Sequence, residues 1–167
     1  MGLATRSFDG PVGRRKLARL VRNYDDDKDV VAVVALTDVY PEFGDAKEAM
    51  AKLTADAGNQ PQRIKFRAHA AQHDVEAWML PFWKEIAKKL GVKAKPPGAK
   101  PEDVNHRKPP SLHLKDLFKK AKKSYEKNLE APKWLTQKGL ERAAKDCPQL
   151  KAFLNSLLEF AGAEKLK

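Results

Sequence analysis

The stretch Val30-Val31-Ala32-Val33-Val34-Ala35-Leu36-Thr37 decides the fold. The run is apolar, rich in β-branched residues and without polar alternation, which is the pattern of a central strand covered on both faces in a parallel sheet. It ends at Asp38, and Pro41 prevents the ladder from continuing because proline has no N–H to donate. We therefore expect this chain to be built around a parallel α/β sheet.

Helical and strand patterns alternate on either side of this strand. Asp45, with Glu48 three residues later, is typical of a helix N-cap, and Gly58 and Gly91 are typical of helix ends. Ile64, Phe66 and Ala68 alternate with polar residues, as in a second strand. The predicted helices of this part cover residues 12–23, 45–57 and 74–90.

The second half of the chain has a different pattern. Residues 93–110 hold five of the eleven prolines, which indicates an extended connector. Helical spacing follows in 111–128, in 135–144 and from Pro148 onward, where proline suits a first helical turn. The predicted architecture is α/β, with a small, mostly parallel sheet flanked by helices and a C-terminal helical appendage. The predicted units are a core over 1–92, a connector over 93–110 and a helical subdomain over 111–167.

Composition narrows the class of protein. The chain has 167 residues, a formal net charge of +11 and one cysteine, Cys147. This length suits one compact domain, the positive charge favours a nucleic-acid partner, and no apolar run is long enough to cross a bilayer. Cys147 has no partner for an internal disulfide, so we interpret it as a small buried side chain and expect a reducing, cytoplasmic compartment.

Three carboxylates follow the two predicted strands. Asp38 ends the first strand, while Asp74 and Glu76 come directly after the second. Ligand sites of open α/β sheets lie at the carboxyl ends of the strands, and carboxylates bind Mg²⁺ or Mn²⁺. The alternative is local: Asp is common in turns, and acids in a first helical turn favour the helix dipole.

Two histidines near these acids suggest other roles. His69 and His73 are four residues apart, as in zinc-binding helices, but Ala70 stands where a zinc peptidase needs its glutamate. The preferred interpretation of His73 is that it orients a carboxylate or contacts phosphate. The sequence contains no phosphate-binding glycine loop, no nucleophile elbow and no dinucleotide fingerprint.

Basic residues form the predicted nucleic-acid surface. Lysines of the predicted helix 111–128 suit phosphate contacts, although a solvated helix face explains them equally well. Tyr125 and Trp134 have the shape to stack on bases, but aromatic side chains near apolar positions usually belong to the core. The candidate nucleic-acid-binding residues are Arg107, Lys108, Lys119, Lys120, Lys123 and Lys127.

Five short motifs, in this order and spacing, resemble a TOPRIM-like bacterial family of unknown function whose members are often encoded beside AAA- or ABC-type ATPases. They are Leu36-Thr37-Asp38-Val39-Tyr40-Pro41, His73-Asp74-Val75-Glu76-Ala77-Trp78, Pro101-Glu102-Asp103 with Lys108-Pro109, Tyr125-Glu126-Lys127, and Cys147-Pro148. The resemblance covers most of the chain from about residue 10 onward.

The resemblance implies a TOPRIM-like fold and an acidic Mg²⁺ site. Position by position, it implies Asp38, Asp74 and Glu76 as metal ligands and catalytic residues, and Lys127 as a basic residue near the helical end. TOPRIM enzymes also carry a second Asp shortly after the strand, where Tyr40 stands here, and a glutamate after an earlier strand, which does not precede residue 12. A member lacking that first strand, or starting downstream of it, fits this pattern.

Two main functions follow as expectations. The first is a metal-dependent nuclease or phosphoryl-transfer protein that acts with an ATPase in phage defence or DNA repair. The second is a non-catalytic subunit whose basic helices bind nucleic acid or an ATPase partner. The missing glutamate favours the second, and the set of Asp38, Asp74 and Glu76 favours the first. Nonspecific nucleic-acid binding is a third alternative.

Overall fold

The computed structural model describes residues 10–58, 63–104 and 107–166, with side chains from Lys16 onward. The described chain is a mixed α/β structure. Its elements, in order, are α1 (Gly10–Asp25), β1 (Ala32–Asp38), α2 (Ala46–Asp56), β2 (Lys65–Ala71), a 3-10 helix (Val75–Phe82), α3 (Trp83–Leu90), a 3-10 turn (Pro101–Asp103), α4 (Pro110–Lys120), α5 (Lys127–Trp134), α6 (Gln137–Asp146) and α7 (Pro148–Phe160).

The two strands pair in parallel, as the alternation of strands and helices predicts. Ala32 lies opposite Lys65, and the register runs to Asp38 opposite Ala71. In the described part of the chain the sheet has these two strands, so β1 is not the central strand that the apolar run predicts. All seven residues of β1 are half-buried, whereas the last three residues of β2 are buried.

The start of α2 follows its sequence signature. The Asp45 side chain accepts a hydrogen bond from the Glu48 N–H at 2.8 Å, which confirms Asp45 as the N-cap. Glu48 Oε2 accepts a bond from the N–H of Gly44, one residue before the cap. Gly58, just after the helix, has a φ of +76°, a conformation that glycine adopts without the steric cost of a Cβ.

The predicted single helix over 74–90 is wrong in its first half. Residues Val75–Phe82 form a 3-10 helix, and the α-helix begins only at Trp83. Pro81 explains the break, because its ring has no N–H and would clash with the carbonyl four residues earlier in an α-helix. Gly91 ends α3 in the left-handed conformation, as predicted.

The predicted helix over 111–128 is also too long. Helix α4 ends at Lys120, Lys122 takes a positive φ of 54°, and α5 begins at Lys127. A left-handed residue interrupts the helical hydrogen-bond ladder, so the lysines beyond Lys120 lie in a turn and on a separate helix.

The largest hydrophobic cluster joins the 3-10 helix, α3, α4, α6 and α7. Cys147 is fully buried beside it, as predicted. Helix α7 lies against the sheet: Arg67 of β2 pairs with Glu159 at 3.2 Å, and His69 Nε2 lies 2.8 Å from the Ser156 hydroxyl. Among the described helices, none has both the length and the apolar character that crossing a bilayer requires.

Candidate functional site

The carboxyl ends of the two strands remain joined beyond the sheet. Asp38 is the last residue of β1 and lies opposite Ala71, the last residue of β2. The N–H of Val39 then donates to the Ala71 carbonyl at 3.2 Å, and the N–H of Tyr40 donates to the His73 carbonyl at 2.6 Å. This pairing holds the turn after β2, which carries the other two candidate acids, against the end of β1.

Asp38 and Glu76 both contact the ammonium group of Lys127. Asp38 Oδ1 accepts a hydrogen bond from the Val75 N–H at 3.0 Å, which fixes the carboxylate over the start of the 3-10 helix. Lys127 Nζ lies 3.0 Å from Glu76 Oε2 and 3.8 Å from Asp38 Oδ2. The first residue of α5 therefore supplies the counter-charge of both acids.

Asp74 belongs to the same acidic group. It is buried, and its Oδ2 accepts a hydrogen bond from the Ser111 N–H at 3.1 Å, in the first turn of α4. Its Oδ1 is buried with no hydrogen-bond partner in the described part of the chain. Burial, helped by the nearby charges of Glu76 and Asp38, outweighs the lowering effect of the hydrogen bonds from Ser111 and raises the pKa of Asp74 to about 6. We call Asp38, Asp74 and Glu76 the acidic rim.

The pKa values of Asp38 and of two groups that contact the rim, Lys127 and Tyr125, are shifted as well. Burial raises the pKa of Asp38, although Lys127 opposes the shift. Burial alone would lower the pKa of Lys127, but the charges of Glu76 and Asp38 outweigh it and raise that pKa. The Tyr125 hydroxyl donates to Glu76 Oε1 at 3.5 Å, and burial followed by the charge of Glu76 raises the tyrosine pKa far above its usual value. Tyr125 therefore stays a neutral donor.

The two histidines do not form a helical zinc pair. His69 lies on β2 and bonds to Ser156 of α7, whereas His73 lies in the turn after β2 with a φ of 69°. The spacing of four residues therefore does not place them on one helical face. Burial, followed by the charge of Arg67, lowers the pKa of His69 and keeps it neutral. His73 is 3% exposed, so its predicted phosphate contact has no open surface in this conformation.

The described residues contain no group of three or more His, Cys, Asp and Glu side chains in an arrangement that could hold a metal ion. The charges of Glu76 and Asp38 raise the pKa of Asp74, and Lys127 contacts both Glu76 and Asp38. In this conformation the rim is compensated by an ammonium group of the chain itself.

The candidate nucleic-acid-binding residues separate into two groups. Lys127 is engaged by the acidic rim, whereas the other five are exposed at the surface. Lys108 also pairs with Asp116 at 2.6 Å. Tyr125 packs edge-on against Phe118, and Trp134 against Phe82, so both aromatic side chains contact the protein's own rings.

Two partners of the rim were not expected from the sequence: the Ser111 N–H and the Tyr125 hydroxyl. A signal existed for Ser111, because the first N–H groups of any helix lack an internal acceptor and Pro109-Pro110 marks a helix start. No local signal connects Tyr125 to Glu76, since that contact depends on how α4 and α5 fold back over the 3-10 helix.

Comparison with known proteins gives one family. The family model described as "Domain of unknown function (DUF4276)" matches residues 6–158. No curated protein and no solved structure matches the chain. Because the match covers nearly the whole sequence, this chain belongs to the DUF4276 family of domains of unknown function.

Proposed function

We propose that this protein is a TOPRIM-like, Mg²⁺- or Mn²⁺-dependent phosphoryl-transfer protein that cleaves nucleic acid. The observation that supports the proposal is that Asp38, Asp74 and Glu76 follow the carboxyl ends of two parallel strands, with Asp38 and Glu76 on one lysine and both charges acting on Asp74. In this conformation the described residues are not arranged to hold a metal ion, so the proposal requires the three carboxylates to move closer when a cation binds. Ligand sites of α/β sheets lie at such ends. The resemblance to TOPRIM-like proteins assigns the same three positions to metal binding.

The donor set has the chemistry that a hard divalent cation needs. All three side chains offer carboxylate oxygens, and Asp74 Oδ1 is a buried oxygen without a hydrogen-bond partner among the described residues. A buried carboxylate oxygen that no described group of the chain satisfies is available to a ligand at that position. When bound, Mg²⁺ would polarise a phosphate and lower the pKa of an attacking water.

The residues of the chain have distinct roles in this proposal. Asp38, Asp74 and Glu76 would hold the cation, and the Val75 N–H and Ser111 N–H orient two of these carboxylates. Lys127 Nζ neutralises Glu76 and Asp38 in the absence of a cation, so cation binding must compete with it. Its release from the acids would leave a positive charge beside the scissile phosphate.

The test combines metal binding with cleavage. Calorimetry with Mg²⁺ or Mn²⁺, and incubation with plasmid DNA and structured RNA, are performed on the wild type, Asp38→Asn, Asp74→Asn and Glu76→Gln. Asp26→Asn, in an exposed loop, is the matched control. We expect cation-dependent cleavage by the wild type and the control, and a loss of about 100-fold or more in each rim variant. A wild type that neither binds cation nor cleaves either substrate would end the proposal.

The second candidate is a non-catalytic subunit that binds nucleic acid or an ATPase. The contacts of Lys127 with Asp38 and Glu76 favour it, because the acids already have a counter-ion and the described residues present no metal-binding arrangement. Under this candidate, neither the wild type nor the rim variants cleave nucleic acid, and the rim variants bind it as tightly as the wild type.

The cellular setting rests on the resemblance and on composition. We propose a cytoplasmic protein that acts with an AAA- or ABC-type ATPase in phage defence or DNA repair. Cys147, a fully buried free thiol, is compatible with a reducing compartment. Affinity purification of the tagged chain from its own cells, with and without ATP, tests the ATPase partner: an ATPase should co-purify, and its absence in both conditions would count against this part of the proposal.

A further inference from the structure

Two neighbouring surface grooves run beside α3 and the segment that follows it. One groove, of about 670 Å³, lies along α3. The other, of about 400 Å³, lies between that segment and α4. Ala94 and Lys95 line both grooves, so the two adjoin, and we call them together the basic groove.

Lysines dominate the lining of the basic groove. Seven of them line it, all of them exposed: Lys84, Lys88, Lys93, Lys95, Lys108, Lys119 and Lys120. The acidic lining residue is Asp116, which pairs with Lys108 at 2.6 Å. Glu85, the acid of α3, pairs instead with Arg142 of α6 at 2.7 Å and is not part of the lining. The groove therefore has a strong positive potential.

We propose that the basic groove docks the phosphate backbone of a nucleic-acid duplex. This inference rests on the proposed function in one respect, namely that the substrate is nucleic acid. It adds Lys84, Lys88, Lys93 and Lys95 to the binding surface, which the sequence had not indicated. It also separates Lys108, Lys119 and Lys120, which line the groove, from Lys127, which serves the acidic rim.

The lining favours backbone contacts over the reading of bases. Single-strand-binding grooves combine positive charge with exposed aromatic faces on which bases stack. Two aromatic rings line the groove: Trp83, which is 5% exposed and donates its indole N–H to the Ala94 carbonyl at 3.1 Å, and His113, which is half-buried. A groove that offers seven ammonium groups and no exposed indole, phenol or phenyl ring suits the sequence-independent contacts of a duplex backbone.

Helix α4 connects the basic groove to the acidic rim. The Ser111 N–H in its first turn binds Asp74, while Lys119 and Lys120 in its last turn line the groove. The eight steps from Ser111 to Lys119 rise about 12 Å along a helix. About four nucleotide steps of a duplex strand cover that distance. A duplex docked in the groove would therefore present its nearby phosphates to the acids.

The test measures binding without cleavage. A fluorescein-labelled 20-base-pair DNA duplex is titrated in EDTA at several NaCl concentrations. The full chain is compared with Lys84→Glu/Lys88→Glu and Lys95→Glu/Lys119→Glu. Lys138→Glu/Lys145→Glu, two exposed lysines of α6 outside the groove, is the matched control. We expect the slope of log affinity against log salt to decrease by about 0.9 for each groove lysine removed, and the control to match the wild type.

A gain of affinity provides an independent check. Asp116→Asn removes the acidic group of the groove and releases Lys108, so we expect tighter duplex binding and a steeper salt slope. Groove variants that bind the duplex like the control would overturn the inference. It would also be overturned if poly-L-glutamate competed as well as DNA at equal charge, which would indicate an acidic protein partner, or if single strands bound more tightly than the duplex.

The two proposals fail separately. Binding in EDTA requires no cation, so an absence of cleavage would end the metal-dependent function without affecting this measurement. Conversely, if both groove variants retain wild-type duplex affinity and cation-dependent cleavage, that result would support the proposed function of the acidic rim and overturn the inference about the basic groove.

Discussion

Single residues of the acidic rim show how burial and charge oppose each other. Asp74 has one oxygen that accepts from Ser111 and one without a hydrogen-bond partner among the residues that the structure describes, and burial raises its pKa to about 6. Glu76 is equally buried but has Lys127 at 3.0 Å and the Tyr125 hydroxyl nearby. A carboxylate kept at a cost to stability is typical of functional sites.

Asp74→Asn should stabilise the protein at neutral pH. The pKa of Asp74 is about 6 in the folded state, whereas the ordinary pKa of an aspartate is 3.8, so the folded state binds more protons between these values. The free energy of unfolding contributed by Asp74 therefore decreases as pH rises from about 4 to about 6. We expect the variant to gain about 1–3 kcal/mol at pH 7.5 and nothing near pH 3.5. Urea denaturation in EDTA measures both, and a gain of equal size at the two pH values would contradict the assignment.

Lys127→Met should destabilise the protein. The change leaves the buried Glu76 carboxylate without its cation, and Asp38 loses part of its compensation. Because Lys127 is partly exposed, we expect a loss of about 1–3 kcal/mol at pH 7.5, below that of a fully buried pair. Lys127→Arg should retain most of the stability, and Lys123→Met, at an exposed position, serves as the control. A loss as large at low pH, where the acids are protonated, would argue against an electrostatic origin.

At the scale of elements, the sequence predicts the caps and ends of individual helices better than it predicts how long each helix is. The Asp45 cap, the Gly91 end and the proline start of α7 are as predicted, because each depends on atoms within about one helical turn. The predictions of single helices over 74–90 and 111–128 are wrong. The spacing of apolar residues continues through Pro81, which lies in a 3-10 helix, and through Lys122, whose φ is positive, so the spacing alone does not show that the α-helix is interrupted there. Periodicity describes which face is buried, not where the backbone turns.

Gly139→Ala should severely disturb the junction between α5 and α6. A Cβ at Gly139 would overlap the backbone carbonyl of Trp134, which no side-chain movement relieves. We expect a loss of about 3 kcal/mol, at the upper end for overpacking. Gly44→Ala is the matched control, since its Cβ would approach the movable end of Glu48 at 3.3 Å. Thermal denaturation compares the two, and equal, small losses would mean that the junction adapts.

At the scale of the whole molecule, one hydrophobic cluster contains residues from both predicted units, the core over 1–92 and the helical subdomain over 111–167. It includes Ala71 at the end of β2, Leu114 and Leu117 of α4, and Leu150 of α7. The stacking of Trp78 on Phe153, with ring centroids 5.9 Å apart, adds a further contact between the 3-10 helix and α7. Helices that follow the proline-rich connector therefore share one core with the end of β2, the 3-10 helix and α3.

Leu150→Ala tests whether this core unfolds as one unit. The side chain is fully buried, so its truncation leaves a cavity, and we expect a loss of about 2–5 kcal/mol. Tryptophan fluorescence and far-UV circular dichroism should shift together in one transition, because the cluster connects both halves. Lys151→Ala, at the next position, is the control. Two separate transitions would instead indicate independent units.

The sequence by itself determined the elements with local causes: the parallel strand ending at Asp38, the capped helix after it, and two acids directly after the second strand. The tertiary structure alone decided what those acids meet. The Ser111 N–H lies 37 residues from Asp74, and the Tyr125 hydroxyl 49 residues from Glu76. Such contacts depend on the path of the whole chain rather than on neighbouring side chains. The same holds for the basic groove, whose lysines are spread from residue 84 to residue 120 and come together only when α3 and α4 pack.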